Sequence, residues 1–124
     1  MLKKLDALLF LVKNTAKTAE FYRSLGFTIL EETKSKVATQ LGDFYIDFHN
    51  ENDVFFKGES GKEPKGLGIW IYVNVESTDE TYKDLIEKGL KPSSEPKDWP
   101  WGNREFVIRD PDSYKLVMYE EIKR

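Results

Sequence analysis

The order of strand, helix and glycine in this chain occurs twice, and the second occurrence keeps the register of the first. Ala7 precedes Gly26 by 19 residues, and Trp70 precedes Gly89 by 19. At the resulting offset of 63, Val12 falls on Val75, Thr15 on Thr78 and Thr18 on Thr81, with no gap. Few identities survive, but the shared order of elements makes a duplicated module the better reading of the match.

Local signals fill in each copy. Leu5 to Val12 is a short apolar run behind two lysines, the pattern of a strand buried on both faces. Asn14 or Thr15 then caps a helix whose inward stripe is Ala19, Tyr22 and Leu25, with Phe21 beside them. Gly26 stands where a left-handed C-terminal cap belongs. Phe27–Glu31, Lys36–Leu41 and Phe44–His49 read as strands, the last two joined by a tight Gly42-Asp43 turn. In the second copy Gly68–Val75 is a strand, and Ser77-Thr-Asp-Glu80 is a capping box. Tyr82, Leu85 and Ile86 form the inner stripe of its helix, which Gly89 ends. A short strand is expected near Leu90–Ser93. Glu105–Arg109 and Tyr114–Glu120 follow as strands around the turn Asp110-Pro-Asp-Ser.

At 124 residues this is one ordinary domain, long enough to bury a core without staples. The chain has no cysteine, which excludes a disulfide framework, a thiolate metal site and a cysteine nucleophile, and fits a reducing cytosol. Asp6 interrupts the apolar run after Met1-Leu-Lys-Lys and no small-residue cleavage site follows, so the start does not read as a secretory signal. No segment has the length to span a membrane. The net charge is −3 with Lys and Glu intermixed, and there is no basic stripe of the kind that nucleic-acid binding requires.

Residues 51–66 join the copies and are rich in Gly, Glu and Lys, as a hinge should be, apart from Val54-Phe55-Phe56. Those three either pack on the rim of the domain, meet a second subunit or cover a pocket.

Two stretches carry a resemblance. One is Leu5-Asp-Ala-Leu-Leu-Phe-Leu-Val12 leading into Thr15-Ala-Lys-Thr-Ala-Glu-Phe-Tyr-Arg-Ser-Leu-Gly-Phe27; the other is Pro100-Trp-Gly-Asn-Arg-Glu-Phe106 leading into Arg109-Asp-Pro-Asp-Ser-Tyr-Lys-Leu116. Across essentially the whole chain the sequence resembles the glyoxalase / bleomycin-resistance / dioxygenase superfamily, the vicinal oxygen chelate fold, and most of all its bleomycin-resistance branch. Ser113 departs from the pattern, since the family usually has Gly there. The resemblance implies an α+β fold of two tandem βαβββ modules forming a cupped mixed sheet around a cavity, commonly completed in a homodimer. It makes residues 1–124 a single domain, with module one at 1–50, a hinge at 51–66 and module two at 67–124.

In metal-using members of that superfamily, each module supplies one ligand from its first strand and one from its last. The corresponding positions here are Ala7, Asp47, Trp70 and Val117. Ala, Trp and Val offer no donor, and one carboxylate does not make a site for Zn, Fe or Mn, so no metal or other cofactor is expected. His49, the sole histidine, shares a face with Asp47 by alternation, either as a two-ligand remnant or as a polar rim residue.

Alternation divides the strands that would line the cup. Ile69, Ile71, Val73, Phe44, Ile46 and Phe48 should face the helices; Trp70, Tyr72, Asn74, Tyr45, Asp47 and His49 should face the cavity. The cavity set is aromatic with polar handles, the composition of a small-molecule site. Trp99 and Trp101, stiffened by Pro100, belong at the cavity mouth, either as a stacking platform or covering the edge of the core. Arg104 and Glu105 pair with each other or with strand neighbours, or contact ligand; with Asp47 nearby, Glu105 favours a cation over an anion. Asp110 and Asp112 shape their turn through bonds to the backbone.

The expected function is metal-free sequestration of a small aromatic or cationic compound by Tyr45, Asp47, His49, Trp70, Tyr72, Trp99, Trp101 and Glu105. It would act in the cytoplasm without nucleic-acid or membrane partners. The alternative is a glyoxalase- or dioxygenase-like lyase or isomerase, either metal-dependent or using Asp47 as general base with Tyr45, Tyr72 or His49 as acid. Binding is favoured over catalysis because the aromatic cup supplies area and orientation but no complete reacting set.

Overall fold

A computed structural model describes residues 1–59 and 65–122. The chain divides into two compact units, Met1–Lys62 and Glu63–Arg124. In the first, β1 (Ala7–Val12) leads to α1 (Thr15–Leu25), then β2 (Thr28–Glu32), β3 (Lys36–Leu41) and β4 (Phe44–Asn50), followed by a 3-10 turn at Val54–Phe56. In the second, β5 (Trp70–Asn74) leads to α2 (Thr78–Glu87), then β6 (Lys97–Asp98), β7 (Asn103–Arg109) and β8 (Lys115–Glu121). Each unit is therefore βαβββ, and its strands make one four-stranded sheet, ordered β1-β4-β3-β2 or β5-β8-β7-β6. In both, the first and last strands pair in parallel and the other neighbours antiparallel. Among the described residues no helix is long and apolar enough to cross a membrane.

The repeat extends to individual hydrogen bonds. The amides of Gly26 and Phe27 donate to the carbonyls of Arg23 and Tyr22; the amides of Gly89 and Leu90 donate to those of Ile86 and Leu85. These are the same cap at the same offset, and it closes because Gly26 and Gly89 adopt φ of 110° and 84°, where a side chain is strained. Both helices start identically as well. Asn14 caps α1 by accepting from the Lys17 amide, and Ser77 caps α2 by accepting from the Glu80 amide. Thr15 and Thr78, each the first residue of its helix, are buried and use their hydroxyls differently. Thr15 donates to the Lys34 carbonyl, and Thr78 donates through both its amide and its hydroxyl to Glu120 on β8.

The first unit's core lies between α1 and its sheet. Tyr22 is fully buried, with its ring 4.6 Å from Phe48 and 5.0 Å from Phe27. Val12, Ala19, Val37 and Ile46 close around them. In the second unit Leu85, Phe106, Ile108, Leu116 and Met118 are buried, and Tyr82 meets Phe106 edge-on at 5.4 Å. None of the buried side-chain N or O atoms among the described residues lacks a hydrogen-bond partner.

The turn between β7 and β8 is held from inside. One Asp110 oxygen accepts from the amides of Asp112 and Tyr114, which shapes the turn as expected. Asp112 instead forms a 3.0 Å ion pair with Lys65, both side chains nearly inaccessible. Gly66 comes so close that an added Cβ would lie 2.7 Å from Tyr114 Cδ1. Ser113 takes φ of 72°, the left-handed position usually given to glycine, so this turn does carry a side chain there.

Several local expectations fail for identifiable reasons. No strand forms at Leu90–Ser93. Pro92 lacks an amide for the ladder, and the segment is joined to β7 by the Ser93 amide donating to the Val107 carbonyl and the Val107 amide donating to the Ser94 hydroxyl. Regular pairing begins after Pro96, at Lys97 and Asp98. Phe44 at the turn, Ile69 ahead of β5 and Ile86 are exposed rather than in the core, because each lies at the margin of its element. Of the Val54–Phe56 turn, Phe56 packs against the His49 ring at 5.0 Å, while Val54 and Phe55 stay 77% and 85% exposed.

Candidate functional site

In the second unit, the sheet face turned away from α2 carries a cavity of about 290 Å³. Strand register builds it. Trp70 on β5 lies opposite Lys115 on β8, Val117 opposite Val107 on β7, and Glu105 on β7 opposite Lys97 on β6. All six line the cavity, as do Trp99, Trp101, Ser94 and Glu95.

The hairpin between β6 and β7 supplies the mouth. Trp99 to Gly102 form a turn closed by the Gly102 amide to the Trp99 carbonyl, with Pro100 at its second position and Gly102 at φ of 96°. The proline's fixed φ and this closure bring Trp99 and Trp101 into a parallel stack, centroids 4.9 Å apart and planes within 9°. Glu105, only 6% exposed, locks the pair: its Oε2 accepts from Trp101 Nε1 at 2.9 Å and from Asn103 Nδ2 at 3.0 Å. A buried carboxylate requires such donors, and here their effect is to fix the orientation of one indole.

Two lysines lie over these rings. Lys115 Nζ is 3.6 Å from the Trp70 ring centroid, and Lys97 Nζ is 4.4 Å from that of Trp99. Tyr72, next along the cavity face of β5, meets Tyr119 edge-on at 5.7 Å. Partial burial, and secondarily the negative charge of Glu105, raise its phenol above the usual 10.0, so it remains a neutral hydroxyl at physiological pH.

Arg104 does not pair with Glu105, because adjacent strand residues point to opposite faces. It turns to α2 and β6 instead, donating to Asp98 at 2.8 Å and twice to Asp79. Those bonds, the one to Asp98 foremost, hold its guanidinium more firmly protonated than usual.

Of the residues singled out in the sequence, Trp70, Trp99, Trp101 and Glu105 line this one cavity and Tyr72 stands beside it. Tyr45, Asp47 and His49 belong to the first unit, on one face of β4, where they lie opposite Ala7, Leu9 and Leu11 of β1. Lys97, Lys115, Asn103 and Val107 were not anticipated. Lys115 was within reach of alternation, two residues before Val117 on the same face; Lys97 lies on a strand the sequence does not announce.

The strand registers also test the metal positions. Leu9 pairs with Asp47 as Tyr72 pairs with Val117, and Ala7 with Tyr45 as Trp70 with Lys115, so Asp47 and Val117 are equivalents. One carboxylate among Ala7, Asp47, Trp70 and Val117 does not fit a divalent ion. Among the described residues, no three His, Cys, Asp or Glu side chains gather into a metal-holding group.

Two βαβββ modules with the same strand order, equivalent helix caps and corresponding first-to-last strand ladders define a glyoxalase-like domain of the vicinal oxygen chelate type. The chain belongs to the Glyoxalase/Bleomycin resistance protein/Dioxygenase superfamily, whose family model matches residues 4–118. Its relatives include the uncharacterized protein YraH of Bacillus subtilis, 33% identical over 94% of this chain and 98% of that protein. They also include a bleomycin resistance protein of Geobacillus stearothermophilus, 26% identical over 90% of this chain and 92% of that one. Among solved structures, a bleomycin-binding protein complexed with bleomycin superposes with a TM-score of 0.69 at 20% identity, covering 96% of this chain and 99% of that one.

Proposed function

We propose that this protein is a small-molecule-binding domain that holds a flat aromatic compound in the cavity of its second module without transforming it. The observation that carries this is the Trp99–Trp101 stack, pinned by Glu105 at the mouth of a 290 Å³ cavity whose wall includes Trp70. Rigid rings give binding area at little entropic cost, and the volume sits at the small end of the ~300–1,000 Å³ typical of ligand pockets, which suits one or two fused rings. Glu105 is engaged by two N–H donors, an arrangement that orients an indole rather than presents a base. The likeness to bleomycin resistance proteins supports sequestration as the role of such a pocket.

Titration with planar aromatics is expected to quench tryptophan emission saturably and to raise the melting temperature, by the equivalent of about 2.7 kcal/mol at a hundredfold excess over Kd. Trp70→Ala and Trp101→Ala should each weaken binding about tenfold or more. A broad aromatic panel that leaves both the melt and the emission unchanged would sink the proposal.

The same reading has residues 1–124 working as one cytoplasmic domain that forms a homodimer. The exposed Val54 and Phe55 support a subunit contact. Sedimentation should show a dimer at tens of micromolar that Phe55→Asp converts to monomer; a monomeric parent protein would remove the dimer from the proposal.

A further inference from the structure

The cations in the cavity are the chain's own. Lys115 and Lys97 hold their ammonium groups against Trp70 and Trp99, and both side chains line the space that a ligand would enter. A ring face attracts an ammonium but accepts no ordinary hydrogen bond, so each lysine keeps N–H donors for an acceptor. The opposing charges are placed differently. Glu105 is buried with Oε2 turned to Trp101 and Asn103, and Glu95 is exposed in the segment ahead of β6. A cationic ligand would compete with the lysines for the same rings and add like charge to a small space. An anion would complete their hydrogen bonds instead.

We propose that the cavity selects a flat aromatic acid, its ring stacked on the exposed indoles of Trp70 or Trp101 and its carboxylate taken by the ammonium group of Lys97 or of Lys115. This rests on the reading of the cavity as an aromatic-binding site, and reverses the cation preference that the carboxylates suggest in the sequence. The lysines also tie ring to charge: an acid without an aromatic ring would find the ammonium groups but not the stacking surface.

The test is a fluorescence titration of the full chain, at fixed ionic strength, with naphthoate, its uncharged carboxamide and naphthylmethylammonium. Naphthoate should bind about tenfold or more tightly than the carboxamide, a difference of about 1.4 kcal/mol per decade, and the ammonium compound weakest of the three. Raising salt should weaken naphthoate alone. The double variant Lys97→Met/Lys115→Met should bring naphthoate down to the affinity that the carboxamide has for that same variant, while Lys97→Arg and Lys115→Arg retain the preference. The arginine variants also show that the strands tolerate replacement. Equal or tighter binding of the carboxamide or the ammonium compound overturns the charge selection and leaves the aromatic site standing. Failure of all three at millimolar concentration overturns the aromatic site, and the selection with it.

Discussion

Glu105 does two separable things: it accepts hydrogen bonds that orient Trp101, and it places a negative charge near Tyr72. Glu105→Gln keeps an acceptor and removes the charge, so the Tyr72 phenol should titrate closer to 10.0, seen as an earlier rise in tyrosinate absorbance. The linkage sign follows from the direction of the shift. A phenol whose folded pKa is raised contributes stability that is fully present below 10.0 and is lost as pH rises through its folded value. Tyr72→Phe should therefore flatten part of the alkaline loss of stability above that point while leaving the neutral range unchanged; an identical alkaline profile would show that Tyr72 is not linked to folding. Arg104 teaches the complementary lesson. It adjoins Glu105 in sequence, yet its bonds run to Asp79 and Asp98, because the pleat sends neighbours to opposite faces.

At the scale of elements, stability concentrates where a helix meets its sheet and where the β7–β8 turn is clasped. Phe48→Ala removes a fully buried ring packed on Tyr22 and should cost about 3–5 kcal/mol in urea unfolding. Asp112→Ala removes one member of the buried pair with Lys65 and should cost about 3–5 kcal/mol as well, because a buried ammonium loses a carboxylate 3.0 Å away. Ser77→Ala deletes a cap contact in a more exposed setting and should cost about 1 kcal/mol. If Asp112→Ala proves as mild as Ser77→Ala, the clasp is not the anchor its burial implies. The elements themselves were largely legible: Gly26 and Gly89, the Asn14 and Ser77 caps, and the alternation in β4 and β5 all act within a few residues. β6 was not, because two residues carry no periodicity and Pro92 and Pro96 displace the pairing from its expected place.

For the whole molecule, the donor set at Ala7, Asp47, Trp70 and Val117 predicts purification without chelator to yield far less than one equivalent of Zn, Fe, Mn or Ni, and a melting temperature indifferent to EDTA. A tightly bound equivalent of metal would contradict the aromatic reading of those positions. The duplicated topology gives the prediction its reach. The β1–β4 and β5–β8 ladders share one register, so the four positions follow from a structural equivalence and not merely from a motif.

The sequence by itself determined the two modules, their helix boundaries, the α+β class and the aromatic character of one strand face, since all of these rest on spacings that a chain reads locally. Only the tertiary structure decided what those aromatic residues meet. Lys115 reaches Trp70 across 45 residues of sequence, and Lys97 reaches Trp99 from a strand set by its pairing with β7. The Oε2 atom of Glu105 is turned to an indole and an amide. The sign of the charge offered to a ligand depends on ladder register and on which hydrogen bonds are already made, and neither is encoded in the residue types alone.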